Sequence, residues 1–233
     1  MNPKNRTPII VGAVVVAILA LAGIALALSG GDDDAANNVA DSGSLSADPV
    51  PTYSDNAEAF RPVEVAGDPL PAYDPASDPS ADSAVGMAAP VVTGSDFDGN
   101  AMTLGGETTN ATMLVFLAHW CPHCNAEVPR ILEVNNNGGI PANLDVIGIS
   151  TGADETRPNS PPYEWIADMG WLWPTMADNE QQAAIQANGG TVYPFLVILD
   201  ADGTVIARTS GELSVDDLTV WISDAMASIE ATG

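Results

Sequence analysis

The chain of 233 residues has little of several things, and each shortage excludes something. It has two cysteines, so no framework of structural disulfides can hold it together. Its only two histidines lie in the same six residues as the cysteines, where closing the four-ligand tetrahedron of a zinc site is sterically poor. It has six basic residues against 31 acidic ones, for a formal net charge of -25, and Lys4 is its only lysine. Such a surface lacks the basic footprint of a nucleic-acid binder and is repelled by anionic lipid. Repeats are absent as well.

What the chain keeps is concentrated. Both cysteines fall in the six residues His119-Trp120-Cys121-Pro122-His123-Cys124, directly after the apolar run Met113–Ala118. That run reads as a buried strand. Pro122 suits the first turn of a helix, where its missing N–H is not needed. The spacing therefore puts Cys121 at a helix start, where the dipole and free N–H groups stabilise a thiolate, and Cys124 one turn further in. This is the chemistry of a dithiol that cycles with a disulfide: Cys121 attacks, Cys124 resolves the mixed disulfide. A c-type haem site would need histidine at position 125, which is Asn125.

Three separated stretches resemble the thioredoxin superfamily, and within it the membrane-anchored TlpA/ResA-like thiol–disulfide oxidoreductases. They are VGMAAPVVTGSDFDGNAMTL before the dithiol, FLAHWCPHCNAEVP around it, and VYPFLVILDADGTVIAR after it. The resemblance covers roughly residues 84–230. It implies an α/β, thioredoxin-like fold with a central mixed β-sheet flanked by helices. It implies that Pro194 is a cis-proline opposite the dithiol, that Tyr193 beside it and Trp120 line the substrate, and that Glu127 relays a proton during resolution. No cofactor and no metal are implied. The partners are cysteine-containing client proteins and a partner that recharges the dithiol.

Two departures bear on direction. Thioredoxin carries a buried acid six residues before its first cysteine, where this chain has Val115. The Pro-His dipeptide resembles the oxidising DsbA branch, in which His123 would stabilise the Cys121 thiolate by charge and hydrogen bonding. The large helical insertion of that branch is not evident. Family and anchoring lean towards a reductase, with a DsbA-like oxidase as the alternative and a non-enzymatic metal or thiol-client chaperone as the rival from another class. His119, at the strand end, reads either as added positive charge or as a solvent-exposed residue.

The domain organisation follows from composition. Residues 1–29 hold the uncharged run Pro8–Leu28, whose 21 residues at about 1.5 Å each cross roughly 30 Å of hydrocarbon. Lys4 and Arg6 before it and Asp32–Asp34 after it place the N-terminus in the cytoplasm and the rest outside. This reads as an uncleaved transmembrane anchor; a signal peptide cut after Ala25-Leu26-Ala27 is the alternative. Residues 30–83, rich in Asp, Ala, Ser and Pro, read as a disordered linker, in which Phe60–Val65 alternates and offers a short strand docking on the domain. Residues 84–233 are the globular domain. In it Asp98-Gly99 turns an opening hairpin, Asn179 caps a helix over 180–186, and Ser214 caps the closing helix. Composition does not set the oligomeric state.

Overall fold

The computed structural model describes residues 50–76 and 81–232. The expected anchor, and the linker over 30–49 and 77–80, lie outside these residues. Among the described residues no helix is long and apolar enough to cross a membrane.

The described residues form one eight-stranded sheet. In chain order the strands are β1 (Glu64–Ala66), β2 (Val91–Asp96), β3 (Ala101–Leu104), β4 (Ala111–Leu117), β5 (Leu144–Ser150), β6 (Thr175–Ala177), β7 (Phe195–Leu199) and β8 (Val205–Ser210). Their spatial order is β1-β2-β6-β5-β4-β7-β8, with β3 paired to β2 off this path. β5 runs parallel to both β4 and β6, whereas β7 runs antiparallel to β4. The helices are α1 (Pro122–Asn136), α2 (Pro162–Asp168), α3 (Ala183–Ala187) and α4 (Val215–Thr232). This is the thioredoxin-like mixed sheet that the resemblance implies.

The apolar run before the dithiol has no polar face because it is the central strand. All seven residues of β4 are buried. Strand alternation sorts them: Met113, Val115 and Leu117 join the core under α1, α2 and α4, while Leu114 and Phe116 join the core on the other face. The hairpin turns at Asp98-Gly99 as expected, and Ser214 Oγ caps α4 by accepting from the Asp217 N–H at 3.1 Å.

The second face corrects the expected linker. Residues 50–76 are not a tether but a belt laid across the domain. Leu70 and Tyr73 are buried among Phe195, Val197 and Ile185. Their N–H groups donate to the Ala187 and Gly189 carbonyls, at 2.9 and 2.7 Å. Arg208, fully buried on β8, fastens the belt: its Nη1 donates to the Pro71 carbonyl at 2.9 Å, while its Nε donates to Asp82, which lies past the belt, at 2.8 Å. The docking strand exists but begins later than the alternation suggests, at Glu64, where it pairs with β2. Pro62 has no N–H for a ladder, and Arg61 turns its guanidinium onto the Phe97 carbonyl instead.

A smaller correction concerns α3. It starts at Ala183 rather than Glu180, after Gln182 in a left-handed conformation at φ 59°. Asn179 does accept from the Ala183 N–H at 3.0 Å, but the buried Asp178 carboxylate takes the next two N–H groups, of Ala184 and Ile185. A carboxylate that satisfies three orphan N–H groups with its neighbour's help fixes the helix start where it stands.

Candidate active site

Cys121 is the N-cap of α1, with Pro122 in the first helical position, so the local rule that places the dithiol at a strand-to-helix junction is met. Both cysteines are free thiols. Cys121 retains 6% of its surface and its Sγ faces the Tyr193 carbonyl oxygen at 3.7 Å. Cys124 is sealed beneath it and accepts a hydrogen bond from the Ala118 N–H at 3.4 Å. Burial pushes the Cys124 thiol far up, and the neighbouring Cys121 and Glu127 add to this. One sulfur can therefore meet a substrate while the other waits as a protonated thiol.

Tyr193-Pro194 is a cis peptide, and it stands against the dithiol as the resemblance implies. The Tyr193 side chain packs against the core cluster that holds both cysteines. Its hydroxyl donates to Gln182 Oε1, and its ring meets the edge of Trp120 with centroids 5.8 Å apart. Gly152 makes room for it: a Cβ there would lie 2.8 Å from the Tyr193 hydroxyl, and its φ of +59° already favours glycine. Trp120, half-buried, donates from Nε1 to the Gly152 carbonyl at 2.7 Å.

His119 is neither exposed nor cationic, which corrects both readings of it. It has no exposed surface, and both ring nitrogens are committed. Nδ1 donates to the Pro158 carbonyl at 2.9 Å, and Nε2 accepts from the Asp154 N–H at 3.0 Å. The second bond requires the neutral ring. Burial holds its pKa below the ordinary histidine value, against the opposing pull of the Pro158 carbonyl and Asp154. The sign of the consequence is fixed. The folded state binds the proton less readily than the unfolded one, so the stability this arrangement brings is complete above about pH 6.5 and declines below it, and the bond to Asp154 is lost as the pH falls through the lower folded value. Hydrogen exchange of the Asp154 amide is expected to accelerate on acidification through this range; a rate that follows only the general pH dependence of exchange would refute it.

His123 is the reverse case. Its side chain is 64% exposed, and Nδ1 lies 2.7 Å from Glu212 rather than on Cys121. Glu212 in turn meets Arg130 at 2.7 Å, and Arg130 reaches Glu127 at 3.3 Å. Glu127 is fully buried. Its Oε2 accepts from the Leu213 N–H at 3.1 Å, while its Oε1 has no partner among the described residues. Burial pushes this carboxyl above the ordinary range, partly offset by Leu213 and Arg130.

Residues that the motif did not mark complete the site. Asn125 donates from Nδ2 to the Cys121 carbonyl at 2.8 Å and accepts at Oδ1 from Trp165 at 2.9 Å. Asn159 donates to the His119 carbonyl at 2.9 Å. Together they lock the dithiol loop to the segment between β5 and α2. Their only signal in the sequence is position: Asn125 directly follows Cys124.

Comparison with known proteins adds the following. A family model described as Redoxin matches residues 84–222. No curated protein matches the chain. Among solved structures it is similar to a candidate thioredoxin from Neisseria meningitidis, at 25% identity over 61% of this chain and 92% of that one, with a TM-score of 0.50. It is also similar in fold to a candidate thiol:disulfide interchange protein DsbE from Chlorobium tepidum, at 16% identity over 62% of this chain and 96% of that one, with a TM-score of 0.51. The belt over residues 50–76 lies outside the matched family span.

Proposed function

This chain belongs to the redoxin family and is a thiol–disulfide oxidoreductase of the thioredoxin type, and we propose that it acts as a reductase of client disulfides through Cys121 and Cys124. The observation that carries the assignment of roles is the unequal placing of the two sulfurs, one at the helix start under the Tyr193 carbonyl and one sealed a turn below. The Cys121 thiolate attacks a client sulfur, and the client's other sulfur leaves as a thiolate. Cys124 then loses its proton and attacks Cys121, releasing the second client thiolate. Two electrons pass to the client, the chain becomes the disulfide, and a reducing partner recharges it.

Glu127 is the proton acceptor for Cys124 in this reading. Two buried acids stand near the site. Asp178 has both oxygens filled, Oδ1 by the Asn179 and Ala184 N–H groups and Oδ2 by Thr151 and Ile185. Glu127 has a free oxygen and a carboxyl already biased towards the proton. It supplies what Val115 cannot. Trp120, Tyr193 and Pro194 form the wall and backbone edge along which an extended client segment lies.

Direction turns on His123. As an isolated imidazolium it would stabilise the thiolate and make the disulfide oxidising. Here its ring is paired with Glu212, whose negative charge offsets it. This favours the reductase over the DsbA-like oxidase. The reduction potential, measured by equilibration with glutathione, is expected nearer to about -270 mV, as in thioredoxin, than to about -120 mV, as in DsbA. A value at the DsbA end would reverse the direction.

The run Pro8–Leu28 acts in this proposal as an uncleaved anchor, flanked by Lys4 and Arg6 on one side and by acids on the other, with the catalytic domain outside the cytoplasm. The membrane is then a partner through the N-terminus alone.

A further inference from the structure

Four arginines fall within the described residues. Arg61, Arg130 and Arg208 each meet a carboxylate within 3.3 Å. Among the described residues, Arg157 alone of the four has no carboxylate at ion-pair distance. Its guanidinium lies 3.5 Å over the ring of Trp120, the residue immediately before Cys121. Stacking on an indole fixes the plane of the cation while leaving its N–H edge open to a ligand.

The turn that carries Arg157 is held at both ends. His119 takes the Asp154 N–H and donates to the Pro158 carbonyl, so residues 154–158 are pinned to the strand that ends at the dithiol. Within the turn, Asp154 Oδ1 accepts from the Thr156 N–H and hydroxyl, at 2.9 and 2.7 Å, and Arg157 N–H returns to the Asp154 carbonyl at 3.1 Å. Asp154 feels the charge of Arg157, but after these stronger bonds, and forms no ion pair with it. Glu155 is the other charged residue of the turn, and the ring of His119 beneath it is neutral. The buried histidine thus has a use: it holds a cation on the rim of the site.

The rest of the molecule makes this cation conspicuous. A chain of net charge -25 repels anions over most of its surface. We infer that Arg157 is a carboxylate-binding subsite on the rim of the dithiol, which selects disulfides carrying an acidic group close to the reacting sulfurs. The inference rests on the redox reading of Cys121 and Cys124. Two sources offer the same chemistry: an Asp or Glu beside a client cysteine, and a small disulfide with its own carboxylates.

The test uses the full, reduced chain and the rates at which it reduces paired disulfides. One pair is a disulfide peptide with Glu or Gln two residues from the cysteine; the other is glutathione disulfide and its ester. An exposed ion pair changes a rate ratio by about two- to fivefold. The acid-to-neutral ratio is expected to fall by that factor in Arg157→Gln, to be largely kept in Arg157→Lys, and to fall in the unsubstituted chain at high salt. A fall in either pair supports the subsite and names its source. Equal ratios in the unsubstituted chain and Arg157→Gln, for both pairs, overturn it. Failure of the unsubstituted chain to reduce any of the four would instead overturn the redox reading.

Discussion

Cys124→Ser is expected to accumulate covalent complexes with client proteins, whereas Cys121→Ser forms few and loses exchange to the uncatalysed level. The reason is positional. Cys121 sits at the helix start and keeps some exposed surface, and an attack from it leaves a mixed disulfide that only a second sulfur can release. Cys124 lies beneath, with its thiol pushed up by burial, and is a poor first nucleophile. Non-reducing gels of both variants read the difference directly, and equal trapping would defeat the assignment. Glu127→Gln belongs to the same experiment. It keeps the shape and the bond from the Leu213 N–H but cannot take the Cys124 proton. Mixed disulfides should form at the ordinary rate and resolve about a hundredfold more slowly, the size expected for loss of general base catalysis. Unchanged resolution would pass the proton to water.

The second large effect is expected at Arg208. Its fully buried side chain closes on Asp82, which is itself 5% exposed, and on the Pro71 and Asn188 carbonyls. Arg208→Ala leaves the Asp82 carboxylate and two carbonyls without their donor. Breaking one side of a buried pair destabilises by about 3–5 kcal/mol. The loss should appear in chemical denaturation and in proteolytic cleavage of the belt, and a loss below about 1 kcal/mol would show that its apolar contacts and backbone hydrogen bonds hold it without Arg208. The pair also sets a pH dependence. Burial raises the Asp82 pKa, but Arg208 and the Ala84 N–H outweigh this and hold it below the ordinary carboxylate value. A depressed carboxylate contributes stability that is complete above its unfolded pKa, about 3.9, and is lost as the pH falls below that towards the folded value. The unsubstituted chain should therefore lose the stability of the Arg208–Asp82 pair in acid below about pH 4, and Arg208→Ala should lack that step.

Much of the site is legible in sequence because its rules are local. A strand run, a proline after a cysteine and a second cysteine three residues on specify the junction without knowledge of anything distant. The Asp98-Gly99 turn and the Ser214 cap are local in the same sense. His119 shows where this stops. Beside a dithiol, a histidine reads as charge. Only the return of residues 154–158 across it makes it a buried, neutral clamp, and nothing near position 119 encodes that return. Glu212 is similar: 89 residues from His123, it changes the meaning of the Pro-His dipeptide. The belt was hidden for a compositional reason. Its Asp, Ala and Pro content is that of a solvated chain, and its attachment depends on two apolar side chains, Leu70 and Tyr73, and on an arginine in the last strand.

That attachment also has an order in time. Arg208 reaches Asp82 across 126 residues and Pro71 across 137. A ribosome makes the belt before any strand it covers and makes its fastener last among the strands. Until residue 208 has been made, the face formed by Leu114, Phe116, Phe195 and Val197 lacks the clasp of its cover. The stretch around Pro71 is thus made early in the domain but closed only by a contact of long range, whose closure costs more chain entropy than the pairing of β1 with β2.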